Sequence, residues 1–127
     1  MKLYGIGTDI VKISRIKKNI KKKSFINRLF NPNEILKCNK RKNSSNCFAK
    51  RFAAKEAFSK ALGTGISKQV NFNEIIVLNE KNGKPFIKLL HKTKINVEKK
   101  LKTKKFKISL SLTDEEDYAV AFVTITV

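Results

Sequence analysis

Apolar and polar positions divide this chain into two stretches of different period. The opening "KLYGIGTDIV" reads as a β-strand, with glycines at positions 5 and 7 where another backbone or a ligand comes close. Ser14 then stands as an N-cap for "RIKKNIKKKSFINRLF", with Ile13, Ile16 and Ile20 on one helical face and Arg15, Lys18 and Lys22 on another. "FNPNEILKC" starts a further helix, capped by Asn31, with Pro32 at its first position, where a missing amide hydrogen costs nothing. After the polar loop "NKRKNSSNC", an alanine-rich helix runs from Phe48 to about Leu62 and stops at Gly63 and Gly65. Its alanines at 53, 54, 57 and 61 leave room for a neighbouring backbone.

Beyond that helix the period changes to that of strands. "FNEIIVLN" and "EKNGKPFIKLL" form a hairpin signal with Asn82-Gly83 at the turn. "HKTKINVEKKLKTKK" suits a short lysine-rich helix, and "FKISLSL" and "YAVAFVTITV" alternate as strands around the acidic turn "TDEED". The pattern predicts one α+β domain over residues 1–127, its helices mostly in the first half and packed on a mainly antiparallel sheet that the N-terminal strand joins.

Length and composition agree with that picture: 127 residues suit one domain, and 41% hydrophobic residues with nine phenylalanines suffice for a core. The formal charge of +19 invites an anionic partner. Nearly all of it is lysine, however, in a chain also rich in Asn, Ile and Phe, the mixture that drift towards A and T produces, so charge alone assigns no partner. Cys38 and Cys47 lack Cys-x-x-Cys spacing and are expected to be free thiols. No apolar run approaches the roughly 18 residues of a membrane span, and Asp9 interrupts the first apolar run with no small-residue cleavage site after it. A cytoplasmic location is expected.

Two carboxylates stand out in a chain with only ten. Glu56 lies among phenylalanines, alanines and cations; Lys60, one helical turn on, offers it an ordinary ion pair, but Phe52 one turn before and the alanines around it place the glutamate near a packed surface. Asp9 ends a glycine-containing strand, where a turn or cap role competes evenly with a functional one. If the two converge, they give hard oxygens beside lysine, a setting for Mg²⁺ that takes its remaining ligands from water and a substrate phosphate.

"YGIGTDIVKISRI", "RLFNPNEI", "FAKRFAAKEAFSKALGTGI", "NGKP" and "ISLSLTDEEDYAVAFV" resemble, in order and spacing, the 4'-phosphopantetheinyl transferases, in particular the short bacterial holo-[acyl-carrier-protein] synthases. The resemblance covers almost the whole chain. It implies that fold and a Mg²⁺-dependent transfer of the 4'-phosphopantetheine arm of coenzyme A to a serine of acyl carrier protein, releasing adenosine 3',5'-bisphosphate, in fatty acid biosynthesis. It also implies Asp9 and Glu56 as metal ligands, and Lys60 as the lysine that meets the coenzyme A phosphates. Gly63, Gly83, Lys84, Pro85 and Ser111 fall at coenzyme A-binding positions, and Glu56 and Lys60 at catalytic ones. The proton of the attacking serine would go to Glu56 or to a water on the metal.

Arg15, Lys18, Lys22 and Phe25 fall where the family meets its acidic carrier, with a solvated lysine face and a core role for Phe25 as the competing readings. Short members of the family are homotrimers with sites shared across subunit boundaries, and a homotrimer is expected here. Two positions depart from the pattern: Leu112 and Lys107 stand where relatives usually carry histidines of the coenzyme A pocket, and the single histidine, His91, lies outside the motifs. An inactive relative is therefore one alternative. A small basic nucleic-acid-binding protein is the other, but no RNP-like aromatic run, helix-turn-helix or zinc knuckle supports it, and it leaves Asp9 and Glu56 without a role; no nucleic acid is expected as a partner.

Overall fold

A computed structural model describes residues 1–63 and 70–127 of the chain. At its centre, strand β1 (Leu3–Lys12) lies under the long helix Ser44–Leu62. Gly5 and Gly7 face that helix, and a Cβ on either would overlap a helix carbonyl, that of Ala61 at Gly5 and that of Ala57 at Gly7. The expected close approach of backbones is therefore met between the two glycines of the strand and the alanines of the helix. Ala53, Ala54, Ala57 and Ala61 are all buried.

Between these two elements the chain forms three short helices, α1 (Ile13–Asn19), α2 (Lys23–Leu29) and α3 (Pro32–Asn39), so the long helix is α4. The single helix expected after Ser14 is thus two, and the reason is a change of phase. Ile13 and Ile16 are buried, as expected for one stripe, but continuing that stripe past Ile20 would reach Lys23, Ser24 and Asn27, whereas the apolar residues stand at 25, 26, 29 and 30. The chain breaks at 20–22 and turns, burying Phe30. Ser14 lies inside α1 rather than at its cap, which is Lys12, and Lys22 caps α2, off the helix that carries Arg15 and Lys18.

Helix α3 starts as expected: Asn31 accepts from the Asn33 amide, and Glu34 accepts from the Asn31 amide, a reciprocal capping box with Pro32 at the first position. Helix α4 begins at Ser44, four residues before Phe48, and closes on Gly63 in the left-handed conformation, φ 86°. Gly65 lies outside the described residues.

Cys38, ending α3, and Cys47, in the first turns of α4, form a disulfide across 5.4 Å between their Cα atoms. This corrects the expectation of free thiols. Spacing motifs report metal and redox loops, whereas here the turn back from α3 into α4 brings two buried cysteines together.

A 3₁₀ turn (Phe72–Glu74) leads into strands β2 (Ile75–Asn79) and β3 (Pro85–Leu89), an antiparallel pair around the expected turn, where Gly83 takes φ 90°. Helix α5 (His91–Leu101) then leads to β4 (Lys107–Asp114) and β5 (Tyr118–Thr126). These join β1 in a sheet ordered β1-β5-β4, antiparallel throughout. The α+β expectation and the N-terminal strand's place in the sheet are borne out, with the strands divided between two sheets. One face of the larger sheet packs under α4. The other leaves Ile6, Ile10, Tyr118 and Phe122 exposed. Among the described residues no helix is long and apolar enough to cross a membrane.

Candidate active site

Asp9 shares the face of β1 that carries Gly5 and Gly7, so the alternation of the strand points it towards α4. On α4, Lys60 reaches back to the strand: its Nζ donates to the Thr8 carbonyl at 3.0 Å and pairs with Asp9 at 3.2 Å. The ordinary contact with Glu56 one turn earlier is not made. Among the described residues Glu56 has no hydrogen-bond or ion-pair partner.

Electrostatics tie the group together. Burial pushes the Asp9 carboxyl above its usual range, a shift that Lys60 and then Arg15 oppose. Glu56 is also pushed up, first by burial and then by the negative charge of Asp9, against Lys60 and Arg15. The negative charge of Asp9 raises the proton affinity of Glu56, and the hard oxygens of the two suit Mg²⁺, which commonly keeps water and takes phosphate oxygens beside one or two carboxylates. No third His, Cys, Asp or Glu joins them among the described residues, so the rest of such a shell falls to water and substrate. The donor set fits that ion.

Glu56 also lines a groove of about 840 Å³ with Arg15, Phe25, Phe52 and the segment Val70–Glu74. Phe25 stacks on Phe52 with ring centroids 6.3 Å apart and meets Phe30 edge-on at 6.4 Å, so its place in the core is real, while its exposed part faces the groove. Lys18 and Lys22 are exposed, and no contact joins them to the carboxylates.

A second polar cavity, of about 400 Å³, lies at the start of α4, lined by Arg41, Lys42, Asn46, Lys50, Arg51 and Asp114 among others. Arg51 is 4% exposed, and its Nε has no partner among the described residues. Its other nitrogens donate to the Cys47 carbonyl at 3.2 Å and to Asn79 Oδ1 at 3.4 Å, and burial lowers its pKa. Asn79 in turn donates to the Gly83 carbonyl at 3.0 Å, which ties the Gly83-Lys84-Pro85 turn to Arg51. Sequence reasoning passed over Arg51. The signal available was a pair of cations one turn apart, Arg51 and Lys55, on a helix face that also carries Cys47, Phe48, Ala54 and Phe58.

The structure thus brings Asp9, Glu56, Lys60 and Arg15 together, and links Gly83 through Asn79 to Arg51. Ser111 is exposed in the middle of β4 opposite Phe122. No hydrogen bond or ion pair among the described residues joins Ser111 or the Gly83–Pro85 turn to the carboxylates. Leu112 packs against the core, Lys107 is exposed at the start of β4, and His91 is exposed at the start of α5.

The model of the 4'-phosphopantetheinyl transferase superfamily matches residues 5–123. The chain belongs to this superfamily. Among relatives of this phosphopantetheinyl transferase, a holo-[acyl-carrier-protein] synthase of Pelagibacter ubique is 48% identical over 123 residues, covering 97% of this chain and 96% of that protein. One of Ehrlichia canis is 43% identical, over 97% and 94% of the two chains. The crystal structure of the Neisseria meningitidis holo-[acyl-carrier-protein] synthase superposes with a TM-score of 0.87 at 40% identity, covering 98% of this chain and 99% of that one. The Helicobacter pylori synthase, solved in complex with coenzyme A, gives 0.80 at 34% identity, over 95% and 99%. The resemblance read from the motifs is borne out, and neither alternative, nucleic-acid binding or an inactive relative, gains support.

Proposed function

We propose that this protein is a holo-[acyl-carrier-protein] synthase of the cytoplasm that moves the 4'-phosphopantetheine arm of coenzyme A onto a serine of apo acyl carrier protein in fatty acid biosynthesis. The observation that carries the reading is the pair of half-buried carboxylates, Asp9 and Glu56, with Lys60 clamped to the first. Asp9 and Glu56 would hold Mg²⁺ against the pyrophosphate of coenzyme A. Bound there, the ion supplies positive charge to phosphoryl oxygens as the bridging bond breaks.

The chain's own groups do the rest. Lys60 is 54% exposed at its side chain, free enough to turn from Asp9 to a substrate phosphate as charge develops there. Glu56, whose proton affinity is raised, is suited to receive the proton of the carrier serine. The serine oxygen bonds to the β-phosphorus, the bond from that phosphorus to the bridging oxygen breaks, and adenosine 3',5'-bisphosphate leaves. The basic cavity around Arg51 offers a second place for a phosphate of the donor, and Gly63, Gly83, Lys84, Pro85 and Ser111 complete the coenzyme A contacts.

Arg15 and Lys18 on α1, with Lys22 at the next cap, present positive charge to the acidic carrier, and Phe25 on the groove rim offers it an apolar contact. The exposed apolar residues Ile6, Ile10, Tyr118 and Phe122 support a homotrimer that covers this face, with the site shared between copies. The test is direct. Incubated with coenzyme A and Mg²⁺, apo carrier protein should gain the mass of one phosphopantetheine arm; an unchanged mass at full enzyme loading contradicts the assignment.

A further inference from the structure

Lys55 precedes Glu56 in the chain, but the rotation of one helical step, about 100°, turns it off the groove and into the protein, where it is fully buried. All three of its N–H donors are used: Nζ lies 2.6 Å from Glu34 Oε1, 2.7 Å from the Phe72 carbonyl and 2.8 Å from the Ile75 carbonyl. Glu34 is buried too, and its oxygens also accept from the Asn31 and Val77 amides at 3.0 Å each. Four elements therefore meet at one ammonium: α3 through Glu34, α4 through Lys55, the 3₁₀ turn through Phe72, and β2 through Ile75, with Val77 of β2 also bonded to Glu34.

Burying two charges is expensive, and apolar residues of similar volume often serve stability as well or better. This pair joins two walls of the groove. Glu56 stands on one, and Asn71, Phe72, Asn73 and Glu74 form the other. We propose that Lys55 is a positioning residue for the transfer, its ammonium setting the distance between the Glu56-bearing helix and the 72–74 turn so that the groove between them holds the reacting substrate in register. The proposal rests on the function argued above. Lys60 stands apart from this pin, and although Arg51, one turn before Lys55, feels both of its charges, the double variant described next removes the two charges together, so the donor's affinity should depend on it little.

The test compares wild type, Lys55→Met and the double variant Glu34→Gln/Lys55→Met, in which no buried carboxylate is left uncompensated. Melting temperature, the dissociation constant of coenzyme A by calorimetry and kcat of arm transfer are measured for each. The double variant should melt above Lys55→Met, bind coenzyme A within about threefold of wild type, and yet have lost at least about tenfold in kcat. A folded double variant with kcat within about twofold of wild type overturns the proposal. So does a fall in kcat matched by an equal fall in coenzyme A affinity, or failure of both variants to fold, since the pair then serves the fold alone. Wild type separates the two readings: no transfer by wild type overturns the proposed function and the pin with it, whereas normal transfer by the folded double variant overturns only the pin.

Discussion

Lys60 pairs with Asp9 across the gap between helix and strand, at 3.2 Å, and leaves Glu56, four residues before it on its own helix, without a partner among the described residues. The cation therefore bridges two elements rather than decorating one. As the pair is largely exposed on the lysine side, its own worth to the fold is small, well under about 1 kcal/mol. Lys60→Met should leave the melting temperature within about 3 °C and lower kcat/KM for coenzyme A by about 100-fold. Thermal unfolding checks the first half, and steady-state kinetics with a fixed excess of carrier protein checks the second.

Both carboxylates hold their protons more tightly in the folded chain, chiefly because they are buried, and the charge of Asp9 adds to the effect at Glu56. A carboxyl whose folded pKa is raised binds its proton more tightly in the native state, so its contribution is intact below the ordinary carboxylate pKa and is lost as pH rises through the raised value. At pH 7 without metal, Asp9→Asn or Glu56→Gln should therefore raise the melting temperature, although each removes a ligand. Protons also compete with Mg²⁺, so affinity for the ion should rise with pH from the acid side until both groups are ionised. Thermal scans with and without Mg²⁺ between pH 4.5 and about 7.5 measure both effects.

Gly7 is a structural demand as much as a sequence habit. Its Cβ-less face meets the Ala57 carbonyl, so Gly7→Ala pushes the helix off the strand two residues before Asp9. The expected cost is about 2–4 kcal/mol, read from urea unfolding. Transfer activity should fall further than the unfolded fraction explains, because Asp9 and Glu56 sit on the two elements being parted.

Much of this was legible in the sequence because local rules govern it. The Asn31 cap with Pro32, the Gly63 stop and the Asn82-Gly83 turn are short-range devices that leave fixed residue types at fixed offsets. Asp9 and Glu56 drew notice because an acid is out of place in a glycine strand or an alanine helix. What escaped depends on long-range packing. The break between α1 and α2 follows from which core each stripe meets, the Cys38–Cys47 bridge from the turn between α3 and α4, and the buried Glu34–Lys55 pair from a contact across a sequence separation of 21. Arg51 read as one more cation in a lysine-rich chain, and only burial distinguishes it.

The disulfide closes a loop of nine residues' separation, for which chain entropy predicts about 2–3 kcal/mol of stabilisation. Dithiothreitol, or Cys47→Ser, should lower the unfolding free energy by about that amount. Alkylation of the native protein under non-reducing conditions should label neither cysteine.

Arg15 lies close enough to oppose the raised pKa of both carboxylates, and it stands on the rim of the groove. Reversing it, Arg15→Glu, should raise KM for the carrier by about tenfold or more at low salt, with the difference shrinking as salt screens the encounter. Coenzyme A affinity, followed by calorimetry, should change by less than about threefold. An equal loss for both substrates would place Arg15 in the donor site instead.

The shortest route to the central claim is arm transfer by wild type and Glu56→Gln, each with Mg²⁺ and with a chelator, read as the mass of the carrier protein. The account predicts full modification only by wild type with Mg²⁺, and at least about a 1000-fold slower rate in the other three reactions. Transfer by folded Glu56→Gln at a rate near that of wild type, or by wild type in chelator, would contradict it.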